Sequence, residues 1–284
     1  MNQDGKRGKR IFITGGASGL GLAIAHRYAR EGWQVCIGDV NDKRGTAAKK
    51  ELSATAAEAL FVHCDVTRDE DVQAAADQLV KRWGGVDVVV NNAGVASAGA
   101  IEDVPLSDWA WVFDINVFGV VRGCRVFTRL FKQQGHGYLV NVSSMAGLLD
   151  PPLMSSYNAS KAAVVSLSET LQIELAGTGI GVSVVCPSFF KTNLAESMRS
   201  TDPRMVRSIH KMFERGKVSA EEVADSVYQG QQQGRFFVLP HDEGRKAWRI
   251  KRLLPRQLYA PLATWQSRKL RGPKRDAKKP TEAT

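Results

Sequence analysis

Seven apolar runs recur along this chain, and stretches with helical period separate them. The runs cover 11–14, 34–40, 59–66, 86–93, 137–144, 180–187 and 235–240. They are continuous in apolar residues (VDVVVNNA, IGVSVVCP) rather than alternating with polar ones. A strand that is apolar on both sides must be covered on both faces, which is the condition of a parallel sheet with helical crossovers. The intervening stretches supply those helices: 20–32, 70–85 (closed by glycines, as helix ends are), and a long one over 108–135. The predicted fold is α/β, doubly wound, with a seven-stranded parallel sheet and helices on both faces.

The length suits one large domain or two small ones, and no linker is apparent before about residue 244. Residues 1–243 are therefore read as one catalytic domain, 244–270 as a basic, helical, amphipathic extension and 271–284 as a disordered tail. The charge divides the same way. The net charge is +10, yet from Gly244 onward there are 13 Lys/Arg and 2 Asp/Glu, leaving the rest at −1. The near-neutral body carries no electrostatic footprint for nucleic acid, and none is expected as a partner. In the extension, Trp248, Ile250, Leu253, Leu254, Leu258, Tyr259 and Trp265 recur among basic residues. Two readings stay open: these side chains dock on the body or a sister subunit, or they lie on an anionic membrane surface. Either way, removing 244–284 is expected to leave the chemistry in place. The N-terminus lacks a signal peptide's apolar stretch, so a cytoplasmic location is expected, peripheral to a membrane if the tail binds one. Cys36, Cys64, Cys124 and Cys186 show no metal-ligand spacing and read as buried thiols; no metal is expected.

The first strand runs into TGGASGLG (14–21) and then a helix. Gly15, Gly19 and Gly21 allow a tight turn and a close backbone approach to a pyrophosphate; the helix N-terminus beside Ser18 and Leu20 offers free N–H groups to an anion. Asp39 ends the second strand. A carboxylate there can accept from both hydroxyls of an adenosine ribose and repels a 2′-phosphate, so NAD is the favoured cofactor. Lys43 and Arg44 lie near enough to keep NADP open. The alternative for Asp39 is an N-cap of the following helix.

YNASK opens another helix at 157–161, and its Tyr157 and Lys161 share a face one turn apart. Bringing a phenol from a pKa of about 10 to about 7 requires roughly 4 kcal/mol. A unit charge about 4 Å away supplies about that much at an effective dielectric near 20. Ser144 lies 13 residues upstream at the end of the fifth run, where open parallel sheets bind ligands, and NNAG (91–94) and Asp65 end neighbouring runs.

This ordered set resembles the short-chain dehydrogenase/reductase family in its single-domain, Rossmann-type form, over roughly residues 9–240. The resemblance implies an oxidoreductase moving hydride between a nicotinamide cofactor and a secondary alcohol or ketone. It implies Tyr157 as general acid/base, Ser144 as the hydrogen-bond partner of the substrate oxygen, and Lys161 on the nicotinamide ribose. Asn116, in DINVFG, is implied to anchor a water beside Lys161, at a kink in the long helix. Asp65 and Val66 are implied to flank the adenine, Asn92, Ala93 and Gly94 to line the adenosine ribose side, and Pro187 and Thr192 to hold the carboxamide. Ser188 stands where the family usually has glycine, narrowing that entrance. The family also implies a homodimer or homotetramer through the helices over 108–134 and 155–176.

Residues 189–216 fall where family members carry a lid. There Met198, Met205, Val206, Ile209, Met212 and Phe213 either line an apolar mouth or pack the lid on the body. Leu148, Leu149 and Leu153 point the same way, to a bulky apolar alcohol or ketone as substrate. The alternatives are a 3-oxoacyl thioester reductase, or a dinucleotide-binding sensor or scaffold without turnover.

Overall fold

A computed structural model of the chain describes residues 9–190, 194, 196–201, 207, 216, 218–261 and 264. Thr192, Met205, Val206, Ile209, Met212, Phe213, Trp265 and the tail 271–284 lie outside the described residues.

The strands are β1 (Arg10–Thr14), β2 (Gln34–Asp39), β3 (Glu58–His63), β4 (Val88–Asn91), β5 (Ser97–Ala98), β6 (Gly137–Val142), β7 (Ile180–Val185), β8 (Arg199–Ser200) and β9 (Phe237–Val238). Seven of them form one sheet in the order β3-β2-β1-β4-β6-β7-β9, every pairing parallel. The short β5 and β8 pair separately beside it. Central strands are buried along their length, as Val88, Val89 and Val90 show at 2 % exposure or less. That burial requires cover on both faces, and the helices provide it.

On one face α1 (Gly19–Ala29), α2 (Asp42–Leu52) and α8 (Ala220–Gln232) pack around Ile13, Ile24, Tyr28, Ile37, Leu52 and Val223. On the other, α3 (Asp69–Trp83), α5 (Gly119–Gln134) and α7 (Ser155–Glu174) pack around Phe12, Leu79, Phe127, Phe131, Leu139 and Val164. The four cysteines are free and buried.

The helix expected over 108–135 is broken. It begins as α4 (Leu106–Phe113), loosens into a π-helical turn over Asp114–Phe118, and resumes as α5. The cause is Asn116 inside that turn. Its side chain accepts from the Val95 N–H at 2.8 Å and donates to the Val95 carbonyl at 2.9 Å, drawing the helix onto the loop after β4. Such π turns widen the ladder where a side chain must reach a site.

Beyond β9 the extension forms α9 (Asp242–Leu253) and a helical stretch over 256–261. α9 packs on α6 (Ala146–Leu149), which follows Ser144 directly. Trp248 lies 5.0 Å from the Phe237 ring and shares a cluster with Leu148 and Leu149. Of the two readings left open for the extension, Trp248 thus takes the first, docking on the body. No helix among the described residues is long and apolar enough to cross a membrane.

Candidate active site

The strand order reverses between β1 and β4, and their C-terminal ends open one cleft of about 790 Å³. Gly15, Ser18, Gly19, Leu20, Asp39, Asp65, Val66, Asn92, Ala93, Gly94, Ser144, Tyr157, Lys161 and Pro187 all line it. Residues more than a hundred positions apart in sequence therefore converge on one surface. Gly21 and Asn116 stand behind the lining.

The glycine turn is locked from several sides. Gly15 and Gly19 adopt φ of 62° and 53°, and a Cβ on Gly21 would sit 2.2 Å from the Gly15 carbonyl oxygen. Asn92 donates from its side chain to the Thr14 and Gly15 carbonyls at 2.9 and 3.1 Å. Its amide thus holds the turn rather than projecting toward a ribose. The Thr14 hydroxyl accepts from the Asn92 and Ala93 N–H groups. Behind this turn α1 starts at Ser18, with no side-chain cap on its first N–H groups and no acid in its first turn. Those uncapped donors, with the positive end of the helix dipole, fit the pyrophosphate of a dinucleotide.

Asp39 closes the other end. One carboxylate oxygen accepts from the Ala17 N–H at 3.1 Å and the other from the Asn41 N–H at 3.0 Å. Each keeps a lone pair for a ribose hydroxyl. The N-cap of α2 is Asn41, which accepts from the Arg44 N–H, so the capping alternative for Asp39 does not apply. Arg44 also reaches the cleft, but its guanidinium is paired with Glu196 at 3.0 Å across the opening. Asp65 turns its carboxylate onto Thr67.

At the substrate end, Tyr157 and Lys161 rise from the first turns of α7, 7 % and 4 % exposed. The Lys161 Nζ lies 5.8 Å from the Tyr157 ring centroid and donates to the Val142 carbonyl at 3.0 Å. A Cβ on Gly94 would meet the Lys161 Nζ at 3.3 Å and the Asn116 Oδ1 at 3.1 Å, so glycine there keeps the lysine's surroundings open. Asn116 also donates to the Ser160 hydroxyl at 3.0 Å, tying α7 to the loop after β4. Of the two serines, Ser143 donates to the Lys161 carbonyl at 2.7 Å and is buried. Ser144 is the one beside the phenol: its hydroxyl accepts from the Ala146 N–H at 3.1 Å, and its proximity lowers the Tyr157 pKa.

Burial outweighs that influence. It pushes the Tyr157 phenol up to about 12, and pushes the Lys161 ammonium down to about 8. The expected acidification of the phenol by its neighbour is therefore not a property of the protein alone. Desolvation penalises the charged form of both groups, and neither group is among the influences that set the other's pKa.

Three features were not legible from sequence spacing. His241, just before α9, accepts from the Ser188 N–H at 3.2 Å and holds the turn after Pro187, with burial keeping its pKa below the ordinary value. The Arg44–Glu196 pair links residues 152 positions apart. The extension reaches the cleft itself, through Ala247, Ile250, Tyr259 and Thr264.

Comparison with known proteins follows the same outline. The short chain dehydrogenase family model matches residues 9–203. The chain is 33% identical over 253 residues to a protein of Lactiplantibacillus plantarum described as CLA biosynthesis dehydrogenase/reductase, covering 83% of this chain and 88% of that one. It is 37% identical over 189 residues to a 3-alpha-(or 20-beta)-hydroxysteroid dehydrogenase of Mycobacterium bovis, covering 66% and 72%. A crystal structure of a short chain dehydrogenase/reductase from Burkholderia phymatum in complex with NAD superposes with a TM-score of 0.82 at 34% identity, covering 90% of this chain and 95% of that one.

Proposed function

The chain belongs to the short-chain dehydrogenases, nicotinamide-dependent oxidoreductases of CH–OH groups, and on that premise we propose that it interconverts a bulky apolar secondary alcohol and its ketone with NAD(H). The observation that carries this reading is the convergence of Tyr157, Ser144 and Lys161 in one cleft, with the glycine turn and Asp39 at its other end.

When bound, the nicotinamide supplies the hydride chemistry; the chain supplies position and protons. The uncapped start of α1 holds the pyrophosphate, Asp39 the adenosine ribose, and Lys161 the second ribose. Asp39 at this position favours NAD over NADP. Ser144 holds the substrate oxygen beside the phenol. With its pKa near 12, Tyr157 keeps its proton at neutral pH and is set up as the acid that protonates a developing alkoxide in ketone reduction. The reverse direction needs further positive charge beside it. Asn116 serves as a positioning residue: by fixing Val95 and Ser160 it sets the distance between the loop after β4 and α7.

Apolar side chains wall the substrate end, among them Leu149, Met154, Phe189, Leu194, Met198 and Ile250. Such a lining supports a large apolar substrate, in keeping with the steroid named for the Mycobacterium bovis relative. A sensor without turnover has no need for a buried lysine that has no carboxylate partner among the described residues, which costs stability. Self-association through α4, α5 and α7 is part of the proposal, supported by Leu106, Phe118 and Ile173, which stand 84 %, 53 % and 77 % exposed on that surface.

The test is a cofactor-reduction screen with NAD and NADP over steroid, acyl and aromatic secondary alcohols. Turnover of a bulky apolar alcohol with NAD preferred supports the reading. Tight NADH binding with no turnover across the panel would overturn it.

A further inference from the structure

The C-terminal extension lies beyond the stretch that the family model matches, yet it closes the substrate end of the cleft. Ala247 and Ile250 come from α9, and Tyr259 from the helical stretch after it; all three line the space that Ser144 and Tyr157 line. Ile250 is half-exposed, at the mouth rather than in the floor. α9 is held in place from two directions. Trp248 packs on Phe237, and the Lys251 ammonium donates to the Leu148 carbonyl at 2.6 Å and the Asp150 carboxylate at 2.5 Å. Asp150 is the left-handed residue that ends α6, with φ of 53°, and Leu153 a few residues on has φ of 65°. Two non-glycine residues in that region make the 150–154 turn one that only its surroundings can hold. That same turn contributes Asp150, Pro151, Pro152 and Met154 to the cleft.

We propose that residues 242–261 are the outer wall of the substrate site: Ile250 and Tyr259 set how large an apolar substrate fits, and Lys251 is a positioning residue that clamps the strained 150–154 turn against it. The inference rests on the oxidoreductase reading above and adds what selects the substrate. The ligand it implies is a secondary alcohol or ketone whose apolar body extends from Tyr157 to the extension. Removing the extension then costs the substrate site one of its walls, so it is not a dispensable tail.

The experiment uses the full chain and three variants, Ile250→Trp, Lys251→Met and Lys251→Arg. Turnover is measured at saturating NAD for cyclohexanol and for a hydroxysteroid, with NADH affinity from fluorescence titration. Amide hydrogen exchange of residues 245–261 is followed with and without the steroid ketone and NADH. Ile250→Trp is expected to lower the steroid-to-cyclohexanol ratio of kcat/KM at least tenfold, through KM. Lys251→Met is expected to raise the steroid KM about fivefold or more, and Lys251→Arg to restore it, with the NADH dissociation constant within twofold throughout. The steroid ketone is expected to slow exchange across 245–261. An unchanged ratio in Ile250→Trp, or no protection of 245–261 in an enzyme that turns the steroid over, overturns the wall. A Lys251→Met variant with unaltered KM, or an arginine variant as impaired as the methionine one, overturns the clamp. If the wild type oxidises neither alcohol while binding NADH, the oxidoreductase reading fails first and the inference falls with it.

Discussion

Replacing Lys161 with methionine should stabilise the cofactor-free protein while abolishing turnover. Lys161 is 4 % exposed, its ammonium donates only to the Val142 carbonyl, and among the described residues no carboxylate pairs with it. Burial takes its pKa from the ordinary lysine value of 10.5 to about 8. That difference corresponds to roughly 3 kcal/mol of destabilisation at neutral pH. For a cationic group whose pKa falls on folding, the unfolded chain holds the proton more tightly. The penalty is thus complete below about pH 8, fades as pH rises, and vanishes above the unfolded value. Methionine has a similar volume and no charge, but it leaves the Val142 carbonyl without a donor, a loss of about 1 kcal/mol. The variant should therefore be more stable by about 2 kcal/mol at pH 7, and by about 0.5 kcal/mol at pH 9.5. Urea unfolding of both proteins at the two pH values measures this. The window stops short of pH 10, above which Tyr157 ionises in the unfolded chain while the folded one, raised to about 12, keeps its proton, destabilising both proteins alike. A variant less stable than the wild type at pH 7, or a difference that ignores pH, would refute the argument that this lysine is held at a cost for function.

Tyr157→Phe should lower kcat/KM at least a hundredfold, as loss of a general acid/base does, while NADH affinity measured by fluorescence stays within threefold; a variant that keeps most of its rate contradicts the role. Asp39→Ala should shift the ratio of kcat/KM for NAD over NADP toward NADP by tenfold or more. It should also lower stability by about 1 kcal/mol, because the Ala17 and Asn41 N–H groups lose their acceptor; an unchanged ratio means the acid does not meet the ribose. Gly21→Ala should weaken NADH binding at least tenfold, since its Cβ would lie 2.2 Å from the Gly15 oxygen and the turn must move. Wild-type affinity in that variant would show that the turn is not the pyrophosphate cradle.

The sheet was legible because burial on both faces leaves one kind of mark, the unbroken apolar run. All seven runs are strands, in parallel register from Ile11 opposite Val35 and Val88 outward. Their ends were less legible. The runs continue into Asn92, Ser144 and Pro187, which lie past the last paired residues of β4, β6 and β7 and form the rim. Hydropathy cannot tell a strand's last rung from the polar rim that follows it. The break at 114–118 left no mark in the periodicity and was implied only by the resemblance, which put a kink at Asn116; its cause is a contact between Asn116 and Val95, 21 residues apart. β5 and β8, two residues each, carry no pattern at all.

The proposed trio of Ser144, Tyr157 and Lys161 was legible for a different reason, and misleading for the same one. One helical turn between Tyr157 and Lys161 fixes that they share a face, and a Coulomb estimate at that spacing makes the phenol acidic. Spacing is silent on burial, and burial decides the sign: the phenol rises to about 12 and the ammonium falls to about 8. Two consequences follow from that one physical term. At neutral pH the lysine still carries most of its charge, so it can bind ribose hydroxyls, but its attraction no longer makes the phenol a base. Charge for the oxidative direction must then arrive with a ligand, which couples proton abstraction to an occupied cleft. The same silence covered the substrate end. Ile250 and Lys251 read as members of a basic tail; the docking of Trp248 on Phe237 and of Lys251 on Leu148 and Asp150 carries them to the mouth that Tyr157 faces.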